Sequence, residues 1–148
     1  SFSCPNLERY IMPNGNPVFD IRNNSIIETA TNRLIAGAIL SSKIHESVTT
    51  IGKEAFYESC IASVDLHAGV TMIEDYAFDY SDITQIICRA TTPPTLGESP
   101  FRLTNYSGRM KVPEESISLY RSSWFLTDVG YLGWTNYRWG LVALAEGE

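Results

Sequence analysis

Val48-Thr-Thr-Ile-Gly-Lys-Glu-Ala-Phe56 returns, at an offset of 22, as Val70-Thr-Met-Ile-Glu-Asp-Tyr-Ala-Phe78. The same offset also superposes Ile61 on Ile83, Val64 on Ile86 and Leu66 on Cys88. The positions that coincide are small or apolar, whereas the residues between them mostly change. Such a pattern is what a solenoid requires. Each coil turns one apolar edge inward, and equivalent residues of successive coils stack into a core that no single coil could close.

Within each unit, "SVDLH" (63–67) and "QIICR" (85–89) alternate, with Val64, Leu66, Ile86 and Cys88 on one side. Alternation of this kind predicts half-buried strands stacked as parallel neighbours. The segment "IGKEAF" (51–56) is too short for a full helix and predicts a tight turn that drives Phe56 into the core. The small Ala55 ahead of the ring lets the backbone pass close to the neighbouring coil.

The same frame extends outward. Phe2, Leu7, Tyr10 and Met12 reproduce the spacing of Phe56, Ile61, Val64 and Leu66, and Ile44 before "HESV" matches Leu66 before "HAGV". Pro93 and Pro94 exclude a central strand and turn the chain, after which "RMKVPEES" (109–116) offers one more strand with Met110 and Val112 inward. Inward strand positions therefore fall at Met12, Ile44, Leu66, Cys88 and Val112, which predicts about five rungs. The long first gap holds "SIIETATNRLIAG" (25–37), read as an inserted hairpin. The stretch 118–144 abandons the period and holds all three Trp residues, as expected of a C-terminal cap made of a short helix and a closing strand.

Composition excludes several classes. A net charge of -6, with the 11 Lys and Arg residues scattered, repels phosphate backbones and argues against nucleic acid as a partner. No run is long and apolar enough to span a membrane, and "SFSCPNLERY" lacks the layout of a secretory signal, so the protein either stays inside the cell or has lost a leader. Cys4, Cys60 and Cys88 show no zinc-knuckle spacing. Cys88 takes an inward strand position and is read as a small core residue; the state of Cys4 and Cys60 stays open.

"VTTIGKEAFYESCIASVDLHAG" (48–69) and "VTMIEDYAFDYSDITQIICRATTPP" (70–94) resemble BspA-type leucine-rich repeats, whose units read approximately V-x-x-I-x-x-x-A-F, an apolar residue and V-x-I-P. "MKVPEESISLYRSSWF" with the later "GWTNY" is similar to their usual C-terminal unit, and 25–37 to a block often found between such repeats. His67 and Arg89 stand where proline is usual in the family. The resemblance implies an α/β leucine-rich-repeat right-handed solenoid, strand-rich with short helical turns. It would form one domain over 1–148: an N-terminal partial repeat with the inserted hairpin (1–46), two repeats of the period just described (47–91), and a final rung with the cap (92–148). It also implies an extracellular or cell-surface location and carries no catalytic residues.

Function is then expected on the outward strand positions, whose columns stand about 4.8 Å apart from rung to rung. One column runs Ile11, Lys43, Asp65, Ile87, Lys111 and its neighbour runs His45, His67, Arg89. Lys43, His45, Asp65, His67, Ile87, Arg89 and Lys111 are the candidate ligand-binding residues, for a host or cell-surface protein or a glycan; the bland alternative is a solvated sheet face. His45 and His67 on adjacent rungs are too few for a metal site, which needs three or four ligands, so no metal or cofactor is expected.

No nucleophile, phosphate-loop or zinc-protease motif occurs, and Glu114-Glu115 reads as solvated charge in a loop, so the expectation is a non-enzymatic module. Trp124, Tyr131, Trp134, Tyr137 and Trp139 could stack on sugars but are better read as cap residues. The sequons at Asn23 and Asn105 carry no weight if the source is bacterial, as the resemblance suggests. An uncovered first coil would favour self-association. The competing function is a structural spacer with no ligand of its own.

Overall fold

The computed structural model describes residues 10–13, 15–38, 42–101, 108–125 and 140–148. Among these residues, ten strands, a short helical segment and a set of repeated turns make up a strand-rich repeat fold. The strands are β1 (Phe19–Arg22), β2 (Ser25–Glu28), β3 (Arg33–Gly37), β4 (Thr50–Ile51), β5 (Ser63–Leu66), β6 (Met72–Ile73), β7 (Gln85–Cys88), β8 (Thr95–Leu96), β9 (Arg109–Val112) and β10 (Gly140–Ala143). They form a six-stranded sheet in the order β1-β2-β3-β4-β6-β8 and a four-stranded sheet in the order β10-β9-β7-β5.

The repeat offset becomes hydrogen-bond register. In the four-stranded sheet β5 and β7 run parallel, pairing Ser63 with Gln85, Val64 with Ile86, Asp65 with Ile87 and Leu66 with Cys88. Strand β9 continues the ladder with Met110 opposite Ile86 and Lys111 opposite Ile87, and β10 pairs parallel with β9. Because side chains alternate along a strand, this register stacks Val64, Ile86 and Met110 on the inner side, all buried. Leu66, Cys88 and Val112 repeat the arrangement two positions later.

A second parallel ladder, which periodicity does not predict, runs through the short strands β4, β6 and β8 and onto β3. It holds Ile51 opposite both Leu34 and Ile73, each fully buried. The turns complete the unit. Glu54, Phe56 and Glu58 donate their backbone N–H groups to the carbonyls of Asp75, Ala77 and Asp79 one repeat on, and Tyr76 and Phe78 donate to Glu98 and Pro100. Alternate amides of each turn are thus paired between units. To aim them this way the chain takes left-handed φ at Glu54, Glu58, Tyr76 and Tyr80, equivalent positions in the two copies, and at Ser99 in the third turn.

The predicted turn does drive its ring inward, and the rings form a column. Phe56 stacks on Phe78 with centroids 5.0 Å apart and planes 3° from parallel, and Phe78 on Phe101 at 5.4 Å and 6°. Trp124 continues the column at 6.0 Å from Phe101. Phe101 and Trp124 each fall one position beyond the repeat offset from the ring before them, so a fixed offset misses them.

The inserted hairpin is present as β2 and β3, antiparallel, with a bulge between Ile26 and Ile27. A further hairpin precedes it. Strand β1 pairs antiparallel with β2 across Asn23-Asn24, both at positive φ, the two-residue turn whose twist matches paired strands. These asparagines serve as the turn.

The expectation of an inward strand residue at Met12 is corrected. Met12 lies in no strand and is half-buried, and Ile11 beside it is largely exposed. The "HESV" segment is in frame but short: Lys43 forms a single parallel bridge to Asp65, and Ile44 is buried. Glu114-Glu115 sit in a 3-10 turn (Glu114–Ser116) rather than a loop, and this turn runs into the helix α1 (Ile117–Tyr120) and a π-helical turn (Arg121–Phe125). Phe2, Cys4, Leu7, Asn105, Tyr131, Trp134, Tyr137 and Trp139 lie outside the described residues.

Candidate functional site

The outward side of the four-stranded sheet carries the candidate residues because each strand's inward positions are fixed by the core. Register places Lys43 beside Asp65, Asp65 beside Ile87 and Ile87 beside Lys111, in one row across adjacent strands. Asp65, Ile87 and Lys111 are half-buried and Lys43 is exposed.

The second column has a different character. Arg89 follows β7 and folds back across the sheet. Its Nε donates to Asp65 Oδ1 at 2.8 Å and its Nη2 to Asp65 Oδ2 at 2.9 Å, a two-pronged pairing in which both oxygens are matched. Its Nη1 donates to the Glu148 carbonyl at 2.6 Å. The guanidinium pKa is raised, first by this hydrogen bonding to Asp65. Lys111 pairs with the Glu148 carboxylate, which also accepts the Ala145 N–H at 2.7 Å. The lysine holds the Glu148 carboxyl below its ordinary range. Two of the cations expected to face a ligand are therefore paired within the chain. Sequence spacing does not reveal the Asp65–Arg89 pair, because the two lie one repeat plus two positions apart, a diagonal across the ladder.

The histidines act on their own turns. His45 Nδ1 accepts the Ser47 N–H at 3.1 Å and lies 2.8 Å from Ser47 Oγ, and His67 Nδ1 accepts the Gly69 N–H at 3.0 Å. Each ring thus closes the bend that follows it through its Nδ1. Among the described residues no three His, Cys, Asp or Glu side chains come together as a metal site.

Of the aromatics weighed for sugar stacking, Trp124 is buried, and its Nε1 donates to the Pro94 carbonyl at 3.0 Å. Its ring also meets Tyr120 edge to face at 5.1 Å. Tyr120 is itself buried; its hydroxyl donates to the Ala90 carbonyl at 2.7 Å and reaches Cys88 Sγ at 3.0 Å. Burial pushes both the Cys88 thiol and the Tyr120 phenol up in pKa, and both side chains are sealed from solvent. Cys88 is the core residue its strand position predicts.

At the six-stranded sheet, a different charged group links the repeats. Arg33, on β3, donates from Nε to Glu74 Oε2 at 2.8 Å, and the same oxygen accepts the Lys53 N–H at 2.8 Å. One carboxylate therefore ties three successive units together, a structural use rather than a recognition one.

A protein-family model described as "BspA type Leucine rich repeat region" matches residues 35–129 in 6 copies. No curated protein and no solved structure matches the chain significantly. The match covers strands β4 to β9, the span in which repeat spacing and register coincide. No helix among the described residues is long and apolar enough to cross a membrane.

Proposed function

We propose, because the chain belongs to the BspA-type leucine-rich repeat family, that it is a non-enzymatic repeat module of a surface or exported bacterial protein. Its binding surface is the outward face of β5, β7 and β9, and its partner a protein or a glycan. The scaffold is a right-handed solenoid of about five rungs, forming one domain over 1–148 and closed by a cap within 92–148.

The observation that carries the binding reading is the row Lys43, Asp65, Ile87, Lys111. Four in-register positions differ in charge and polarity, while the residues flanking Asp65, Ile87 and Lys111 on their strands are uniformly apolar and buried. Repeat proteins use such sheet faces as extended contact surfaces. Exposed Lys43 and half-buried Ile87 supply an open charge and an apolar contact, flanked by His45, His67, Arg89 and Lys111.

The spacer reading has its own support. The Asp65–Arg89 and Lys111–Glu148 pairs consume much of the face's hydrogen-bonding capacity internally. The two readings separate on arrays of matrix proteins and glycans. Binding is expected at micromolar concentration or better, and Lys43→Glu combined with Ile87→Asp should weaken it by ~10-fold or more if both contact the ligand. A ligand whose affinity is unchanged by this pair of substitutions would move the site off this face. Failure of all ligands to bind would favour the spacer.

A further inference from the structure

We infer, taking the sheet face as the binding surface, that the turn at 145–148 is a strap standing in for an acidic peptide segment of a partner protein. Such a segment docks on Arg89 and Lys111 by displacing it. The face is cationic on a chain whose net charge is -6. The outward positions of β5, β7 and β9, with Lys43 and Arg89 beside them, carry Lys43, Arg89, Arg109 and Lys111 against one carboxylate, Asp65. Charge complementarity therefore selects an acidic partner.

The chain supplies its own version of that partner. Val142 on β10 lies opposite Lys111, and the Leu144 N–H continues the ladder to the Val112 carbonyl at 2.8 Å. The chain then reverses. The Glu148 N–H donates to the Ala145 carbonyl at 3.1 Å, and Gly147, third in this turn, has a φ of 83°, which glycine adopts without steric cost. The reversal sets Glu148 over the face, where one residue is read at two points. Arg89 Nη1 donates to its main-chain carbonyl at 2.6 Å, and Lys111 pairs with its side-chain carboxylate. A main-chain carbonyl and a carboxylate presented by one residue are the features of a peptide, which favours an acidic peptide over an acidic glycan.

No buried side chain holds the strap down. Ala145, Glu146, Gly147 and Glu148 are all exposed, so closure depends on hydrogen bonds and an ion pair that solvent weakens. Local opening of such a segment costs far less than unfolding the sheet beneath it. While closed, the strap lowers a partner's apparent affinity in proportion to the fraction of molecules whose face is free.

The test is a titration of the intact chain, followed by its amide chemical shifts, with the capped tetrapeptide Ala-Glu-Gly-Glu, the sequence of the strap itself. Glu148→Ala removes the partner of Lys111, and Gly147→Ala strains the turn without touching either cation. Each should tighten peptide binding by roughly 3- to 10-fold. Lys111→Glu in the Glu148→Ala background should abolish it. Peptide binding that Lys43→Glu with Ile87→Asp leaves unchanged but Lys111→Glu abolishes would support the strap while moving the contact surface away from Lys43 and Ile87. Equal affinity in the wild type and both strap variants would overturn the strap and leave the sheet-face reading standing. No peptide binding by the Glu148→Ala protein, or tighter binding of oligogalacturonate than of the peptide, would also overturn it.

Discussion

Replacing Phe78 by alanine is expected to destabilise the protein by about 3–5 kcal/mol. Phe78 is the middle ring of the column, stacked on Phe56 on one side and on Phe101 on the other, and it is completely buried. Removing it leaves a void between two repeats and deprives both neighbours of a stacking partner. The backbone can do little to collapse that void, since the Phe78 amide is fixed to the Pro100 carbonyl at 2.7 Å and the Phe56 amide to the Ala77 carbonyl at 2.7 Å. Urea unfolding should show the loss as a lower midpoint, and a thermal melt as a fall on the order of 10 °C. Tyr57→Ala is the contrast. Tyr57 is 42% exposed and meets the edge of Tyr80, so its loss should shift the midpoint no more than an ordinary surface substitution. Equal effects at the two positions would mean that the rings do not form a column.

Gly37→Ala is expected to be unusually damaging for the gain of one methyl group. A Cβ at Gly37 would lie 2.0 Å from Phe56 Cε1 and 2.3 Å from its Cζ. The ring cannot retreat, because Phe78 packs against its face. The strand cannot retreat either, since the Gly37 N–H donates to the Ala55 carbonyl at 3.0 Å. Overpacking of this kind costs about 1–3 kcal/mol, and the upper end applies here. The two sites are in direct contact, so the cost should depend on the ring. In a Phe56→Leu background, where the side chain is shorter, Gly37→Ala should lose most of its effect in a double-mutant cycle. Additive losses would show that the substitution acts through the backbone and not through Phe56.

Both predictions concern the part of the molecule most legible in its sequence. Val48, Ile51, Ala55, Phe56, Ile61, Val64 and Leu66 are marked by coincidence with their counterparts one repeat on, and all are buried. A repeated core announces itself because each inward residue must meet its own counterpart, so the same letters recur. What recurrence cannot reveal is anything carried by one copy only. The strands β4, β6 and β8 are too short for alternation to show, and β4 and β6 lie hidden inside the phrase that identifies the repeat. Phe101 and Trp124 escape because proline and an extra residue shift the frame, although their rings sit on the same axis. The hairpin turn at Asn23-Asn24 leaves a readable signal, two asparagines between short alternating segments, which the sequon reading passes over.

The candidate face is less legible than the core. Register brings Lys43, Asp65, Ile87 and Lys111 into the expected row, but spacing alone does not disclose that Arg89 reaches diagonally to Asp65. Nor does it disclose that His45 and His67 turn back on their own bends. Side chains of this length choose partners after the backbone is placed, and those partners lie at separations no repeat period specifies.

The stacking of successive units ring against ring is the feature on which the rest depends. Selective labelling of phenylalanine rings, with each resonance assigned by substitution, would measure it by nuclear Overhauser contacts in solution. The prediction is contact between Phe56 and Phe78 and between Phe78 and Phe101, with none between Phe56 and Phe101, which are separated by the ring of Phe78. Direct contact between Phe56 and Phe101, or no contact between any pair, would contradict the stacking of the repeats.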